Sequence, residues 1–271
     1  ELKYNTSINE IETKMIKLIR YSNPNKELKT LFVWPEGIFT GYSFEEIYKF
    51  KNLINRNFSN NHLILFGINT VDEVNGNYFN SLIVINNKFE IVSKYNKTKL
   101  VPFGEFLPYE RFFNKFGLKK ITQGYGSFSK GMDQDNIIIS DLNILPLICY
   151  EIIFPELVQN SDEKTNLIVN ISEDGWFGNS IGPHQHFAKS IFRAVENNVF
   201  LVRSANKGIS VIINNKGQIV RRLNIGETGS IEMNIPLIKS QFKNKNDLIF
   251  FILLFTYLII FLSFRNKNNG K

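Results

Sequence analysis

Three functional groups in this chain, a thiol, a carboxylate and an ammonium, each stand at the end of an expected strand, and together they could carry out acyl chemistry. Cys149 is the only cysteine; it closes "ILPLIC" and has Tyr150 and Glu151 directly after it. A thiol attacks a carbonyl as its thiolate, and a strand-to-helix turn favours that form through backbone N–H groups and the positive helix end. A lone cysteine is equally a small hydrophobe that fills cores. Glu36, in "FVWPEG", stands just past Trp34 and Pro35, where apolar neighbours raise a carboxyl group toward the range of a general base. An ordinary loop glutamate has the same local sequence. Lys97 and Lys99, in "SKYNKTKLVPFGEF", precede Glu105. Such an ammonium can hold a developing oxyanion or merely decorate a basic turn.

The elements that must position these residues alternate in type. "SINEIETKMIKLIRYS" carries Ile8, Ile11, Met15, Leu18 and Ile19 on one helical face. A buried strand, "LKTLFVWPEG", ends at Pro35, and the helix "SFEEIYKFKNLINRNF" opens with Ser43 and Glu46 at capping-box spacing. The strand "HLILFGINT" leads into a hairpin that turns at Asn86–Asn87. Residues 101–131 are rich in Phe, Gly and Pro and read as irregular, apart from a short helix near 109–117. There Phe103, Phe106, Leu107, Phe112, Phe113 and Phe116 form either a lid that touches acyl chains or a helix packed on a sheet. "LNILPLIC", "TNLIVNIS", "VFLVRSAN", "GISVIINNKGQIVRRL" and "GSIEMNIPL" read as strands, with helices in "FPELVQNS" and "GPHQHFAKSIFRAVENN". This alternation predicts an α/β sandwich with mixed sheets.

Composition narrows the classes. Hydrophobic residues at 43% and charged residues at 21% fit a packed domain and exclude a disordered chain. One cysteine excludes an intramolecular disulfide framework. His184 and His186 lie too close together to form a metal site without other ligands, so neither a metal nor a cofactor is expected. The net charge of +7 comes without a dense basic run or a nucleic-acid motif, so no nucleic-acid partner is expected. "LIFFILLFTYLIIFLSF" (248–264) is free of charge and, at ~1.5 Å per residue, reaches roughly 25 Å, the short end of a membrane span. Lys243 and Lys245 stand before it, and Arg265, Lys267 and Lys271 after it, so flanking charge does not set its orientation. The chain opens on Glu1 with no signal peptide, which leads us to expect the C-terminal part of a longer membrane protein.

Taken in chain order, Glu36, Lys97 and Cys149 resemble the Glu–Lys–Cys triad of the nitrilase (carbon–nitrogen hydrolase) superfamily. "WPEG", "YNKTKLVPFGEFLP", "ICYE", "DGWFG", "GPHQH" and "RSANKGIS" are similar to its apolipoprotein N-acyltransferase branch. The resemblance implies an α-β-β-α sandwich over residues 1–240, lacking its first strand, followed by 241–271 with the transmembrane helix 248–264. It also implies roles: Cys149 the nucleophile, Glu36 the general base, Lys97 the oxyanion stabiliser and Glu105 a supporting acid. The N–H of Tyr150 would be a second oxyanion donor, with Glu151, Trp176 and Phe177 shaping the substrate pocket. The implied reaction is ping-pong: Cys149 takes an acyl chain from a phospholipid, preferably phosphatidylethanolamine, as a thioester. The α-amino group of a diacylglyceryl-cysteine on a bacterial apolipoprotein then receives it. The implied place is the bacterial inner membrane, with the catalytic domain on the periplasmic side. A membrane-anchored amidase and a non-catalytic lipoprotein-binding scaffold are the alternatives. Two positions depart from the family pattern: Glu173 stands where the branch usually has Asn, and His184 where a large residue such as Trp is frequent.

Overall fold

The computed structural model describes residues 8–108, 127–132, 135–159, 164–240 and 248–269. The chain separates into two units, Glu1–Gln241 and Phe242–Lys271.

The first unit holds two sheets. One is formed by β1 (Thr30–Val33), β2 (His62–Val71), β3 (Tyr78–Ile85) and β4 (Ile91–Asn96) in that order, with β1 parallel to β2 and the other pairs antiparallel. The other contains β5 (Ile137–Ile139), β6 (Leu142–Ile148), β7 (Leu167–Glu173), β8 (Phe200–Asn206), β9 (Ser210–Ile213) and β10 (Ile219–Leu223), ordered β10-β9-β8-β7-β6-β5. Its centre, β6, β7 and β8, is parallel. Alternate residues of a strand face opposite sides, and both sheets use both faces. Leu65, Leu82 and Val84 meet Ile144, Ile148, Val169 and Ile171 between the sheets. On the outer side of the first sheet, Ile64, Phe66 and Ile83 pack against α1 (Ile8–Ser22), α2 (Phe44–Tyr48) and α3 (Lys51–Asn57). On the outer side of the second, Leu145, Ile168 and Leu201 pack against α4 (Pro155–Gln159) and α5 (Gly182–Asn197). Burying each large aliphatic side chain contributes roughly 1.5–3 kcal/mol, and the layer order is α-β-β-α as expected.

Three elements differ from the sequence reading. The helix expected over 43–58 keeps its capping box, with Ser43 N–H donating to Glu46 Oε2 (2.8 Å), but it breaks at Phe50. Phe44, Ile47, Phe50 and Leu53 all reach the same core, and a spacing of three follows the tighter 3₁₀ path rather than the α-helical one. "GSIEMNIPL" forms no ladder: Ile231, Met233 and Ile235 lie on the inter-sheet core, so their alternation reports a buried face without a paired backbone. A cleft of about 1720 Å³ bounded by Leu31 and Val33 of β1 and by Ile231, Met233 and Ile235 runs beside this segment. The short strand β5 was not anticipated. The helix near 109–117, with Phe112, Phe113 and Phe116, lies outside the described residues.

Two buried carboxylates fix the loops at the strand ends. β6 ends in a 3₁₀ turn, Cys149–Ile153, and Glu151 inside it is fully buried. Its Oε2 accepts from Ile148 N–H (2.9 Å), and its Oε1 accepts from Thr98 N–H (2.7 Å), Lys99 N–H (3.0 Å), Tyr95 Oη (2.8 Å) and Thr98 Oγ1 (2.9 Å). One carboxylate thus fastens the segment after β4 to the turn after β6. Burial pushes its pKa up, against the pull of these donors and of Lys97. Asp174, just past β7, accepts from Arg203 Nη2 at both oxygens (2.9 and 2.7 Å), and Ser172 Oγ donates to its Oδ1 (2.7 Å). Arg203 also donates to Asn170 Oδ1, which ties β8 to β7.

In the second unit, α6 (Leu248–Asn269) contains a stretch, Leu248–Arg265, of mean hydropathy 2.4, long and apolar enough to cross a membrane. Thr256 Oγ1 donates to Ile252 O (2.7 Å) and Ser263 Oγ to Ile259 O (2.8 Å), so these hydroxyls need no water.

Glu151→Gln puts an amide N–H₂ among donors, and we expect a loss of about 1–3 kcal/mol. Urea unfolding of the full chain in detergent reads this, and an unchanged midpoint would refute the fastening role. Burial alone would raise the Asp174 carboxyl, but the neighbouring His186 ring, Arg203 and Ser172 hold it down at about 2. Its folded-state pKa is therefore depressed, so its contribution is complete above about pH 5 and is lost as pH falls toward about 2. The urea midpoint should fall across that window, and the fall should be shallower in Asp174→Asn, which is itself less stable by about 3–5 kcal/mol.

Candidate active site

Glu36, Lys97 and Cys149 follow the ends of β1, β4 and β6. Trp34 N–H donates to Leu65 O (2.8 Å), carrying the β1 pairing past the strand, and Glu36 follows after Pro35. Its Oε1 accepts from Asn80 Nδ2 (2.8 Å) and its Oε2 from Glu173 N–H (3.0 Å). Gly37 has φ +79°, and a Cβ there would collide with the Glu173 carboxylate, so both conformation and space call for glycine.

Lys97 is 1% exposed, and its Nζ lies 2.9 Å from Glu105 Oε1. Glu105 also accepts from Asn80 Nδ2 (2.8 Å) and Val101 N–H (2.8 Å). Burial pulls the lysine pKa down, but the neighbouring Glu105 and Glu36 carboxylates push it up, and Lys97 stays above the ordinary lysine range. Asn80 therefore bridges the two carboxylates through one amide nitrogen.

Cys149 is half-buried and adopts φ +48°, a left-handed conformation costly for a residue with a side chain. Burial pushes its thiol up to about 12; Glu36 adds to the rise, while Lys97 and a hydrogen bond with Ser172 oppose it. This corrects the expectation of a thiolate stabilised by a helix end. The turn after β6 is a 3₁₀ turn of five residues, too short to act as such a helix, and the nearby carboxylate outweighs the cation. Cys149 therefore rests as a neutral thiol.

The other expected residues sort clearly. Tyr150 is partly exposed and packs edge-on against Phe154, with ring centroids 4.9 Å apart. Trp176 and Phe177 lie on the turn Asp174–Phe177 after β7, at 68% and 39% exposure, and Phe177 rests 5.5 Å from the His186 ring. Glu173 accepts from Gly175 N–H (2.8 Å) and Asn206 Nδ2, and burial pushes its carboxyl up. Lys99 instead pairs with Glu156 (3.2 Å), away from the cluster. His184 is exposed.

Sequence reasoning gave no role to Asn80, Ser172 or His186. His186 Nε2 lies 3.0 Å from Cys149 O and its Nδ1 3.0 Å from Asp174 Oδ1. His186, Asp174 and Arg203 lie within the family-like stretches "GPHQH", "DGWFG" and "RSAN", which gave them no individual role, and Asn80 is one polar residue in a strand that carries no local signal. Chemically, the cluster offers a proton acceptor, a fixed cation and a thiol, the requirements of nucleophilic acyl transfer.

A sequence profile of the carbon–nitrogen hydrolase family matches residues 13–241. The apolipoprotein N-acyltransferase of Rickettsia prowazekii is 37% identical over 248 residues, covering 87% of this chain and 49% of that protein. That of Rhizobium leguminosarum bv. trifolii is 42% identical over 159 residues, covering 58% and 30%. The chain thus spans half or less of the length of these curated relatives. Among solved structures, a carbon–nitrogen hydrolase from Helicobacter pylori has TM-score 0.59 at 17% identity, covering 83% of each chain. Saccharomyces cerevisiae Nit3, a nitrilase-superfamily member, has TM-score 0.58 at 19% identity, covering 82% of each. These two likenesses establish the fold; with the profile spanning both sheets and the ends of β1, β4 and β6, the chain belongs to the carbon–nitrogen hydrolase family.

Proposed function

We propose that residues 1–240 form the catalytic domain of an apolipoprotein N-acyltransferase, with residues 241–271 as its membrane tether. The observation that carries this reading is the Glu36–Asn80–Glu105–Lys97 cluster, with its lysine buried, beside Cys149. Curated relatives named apolipoprotein N-acyltransferase and the apolar helix α6 support a lipoprotein acceptor and a phospholipid donor.

Because Cys149 rests as a thiol, deprotonation and attack belong to one event. Glu36 takes the Sγ proton as sulfur bonds to the ester carbonyl of a phospholipid such as phosphatidylethanolamine. The oxygen that gains charge is met by Lys97, with Tyr150 N–H as second donor. Collapse breaks the ester C–O bond, Glu36 returns the proton to the leaving alkoxide, and a lysophospholipid departs from the Cys149 thioester. The α-amino group of a diacylglyceryl-cysteine then attacks the thioester and yields its proton to Glu36. Collapse leaves the amide, and the sulfur recovers the proton. Glu105 and Asn80 hold Lys97 and Glu36 in place throughout. The reaction takes place at the bacterial inner membrane, with the catalytic domain on the periplasmic side.

Mixing the full-length protein with phosphatidylethanolamine vesicles should give one acyl mass adduct by intact mass spectrometry, absent in Cys149→Ala. A diacylglyceryl-cysteine peptide should discharge it to an N-acyl product. An adduct discharged only to free fatty acid would make the protein a hydrolase, and no adduct would remove the lipid-donor reading. Without substrate, a thiol near 12 predicts iodoacetamide alkylation of Cys149 that rises about tenfold per pH unit from pH 7 to 10. A plateau below about pH 9 would mean a preformed thiolate and would overturn this account.

A further inference from the structure

The strained backbone at Cys149 is held by a buried network outside the cluster of acid, cation and thiol. A left-handed residue with a Cβ persists only when its surroundings fix it. The Cys149 carbonyl has a partner, His186 Nε2 at 3.0 Å. A carbonyl only accepts, so Nε2 carries the proton of that bond. The other side of the ring lies against Asp174 Oδ1 (3.0 Å) and Arg203 Nη2 (3.2 Å). His186, Asp174 and Arg203 are each 5% exposed or less, so water does not compete for these bonds. The same Asp174 oxygen receives the Ser172 hydroxyl at 2.7 Å, and Ser172 also hydrogen-bonds the Cys149 thiol. One carboxylate therefore reaches the nucleophile twice, at its carbonyl through His186 and at its sulfur through Ser172.

We propose that His186, oriented by Asp174 and Arg203, is the positioning residue of the nucleophile, pinning the Cys149 carbonyl so that the left-handed turn presents Sγ to Glu36 and Lys97. This rests on the reading of Cys149 as nucleophile but not on the identity of the lipid donor. The probe is p-nitrophenyl acetate, whose acyl transfer to Cys149 needs the nucleophile and oxyanion cation without lipid recognition. Single-turnover nitrophenolate release is followed on the full chain in detergent, below the measured melting temperature of each variant.

His186→Phe keeps a ring but loses the donor; its acylation rate constant should fall about 10- to 100-fold while the half-saturating ester concentration stays unchanged. His186→Gln places an amide N–H toward the same carbonyl and should restore most of the rate. Should His186→Phe fail to fold, His186→Asn, too short to reach the carbonyl, carries the same expectation. A folded Phe or Asn variant acylating at the wild-type rate overturns the proposal, as does a Gln variant as slow as Phe. A wild-type chain that acylates on the nitrophenyl ester but not on phosphatidylethanolamine leaves the positioning role supported and the lipid reading lost. One that shows no Cys149 adduct overturns the nucleophile reading, and this role with it.

Discussion

A lysine ammonium group with almost no exposed surface governs this site. Removing such an ion from water costs several kcal/mol even after relaxation, and an unpaired one would shed its proton. Lys97 keeps its charge because Glu105 lies 2.9 Å away, and Glu105 is in turn held by Asn80 and Val101 N–H. That requirement places several other parts of the chain. Asn80 on β3 must face the end of β4, and the loop after Lys97 must bend back so that Glu105 N–H meets Val101 O (2.8 Å). Glu151 then fastens the start of the same loop to the turn that carries Cys149. The pairing of a cation with its counterion thus dictates where three strand ends meet.

The same arrangement explains why the sulfur rests protonated. Glu36 and Glu105 set two negative charges against the one positive charge of Lys97, so a thiolate would be a third anion in a site with little water. In the proposed reaction the charge never has to exist on free sulfur: the proton moves to Glu36 as negative charge passes to the carbonyl oxygen beside Lys97. Such a site discriminates by geometry rather than by standing reactivity, because a thiol cannot react until an acyl carbon is positioned in front of it. A neutral resting thiol also resists adventitious oxidation and alkylation, which follow thiolate character.

Much of this was legible in the sequence because strand ends announce themselves. An apolar run that stops abruptly, as before Glu36 and at Cys149, marks where a chain leaves a sheet; alternation predicted an α/β sandwich with mixed sheets, and the α-β-β-α layer order came from the family resemblance. The failures share a cause. Alternation in "GSIEMNIPL" records which side chains are buried but not whether the backbone has a neighbour, and Phe50 breaks a helix because its core contacts recur every three residues. The pKa of Cys149 depends on the balance of Glu36 against Lys97, side chains more than fifty residues away in sequence. Asn80 and His186 act only through partners brought together by folding, so no local pattern could assign them.

What becomes of a thioester depends on what reaches it, since water and an amine would use the same base and the same cation. Under the proposed function, apolar surface beside Cys149 would decide between them. Phe177 rests on the His186 ring, His186 is bonded to the Cys149 carbonyl, and Trp176 beside Phe177 stands 68% exposed. Large aromatic side chains on a four-residue turn gain little from their own fold and gain more when an apolar partner covers them. Under the proposed function that partner is the acyl chain itself. Laid over Trp176 and Phe177, it would bury their rings and shield the thioester carbonyl from water in the same contact. Hydrolysis would then be slowed by the substrate that needs protection, and an amine held at the membrane surface would compete on favourable terms.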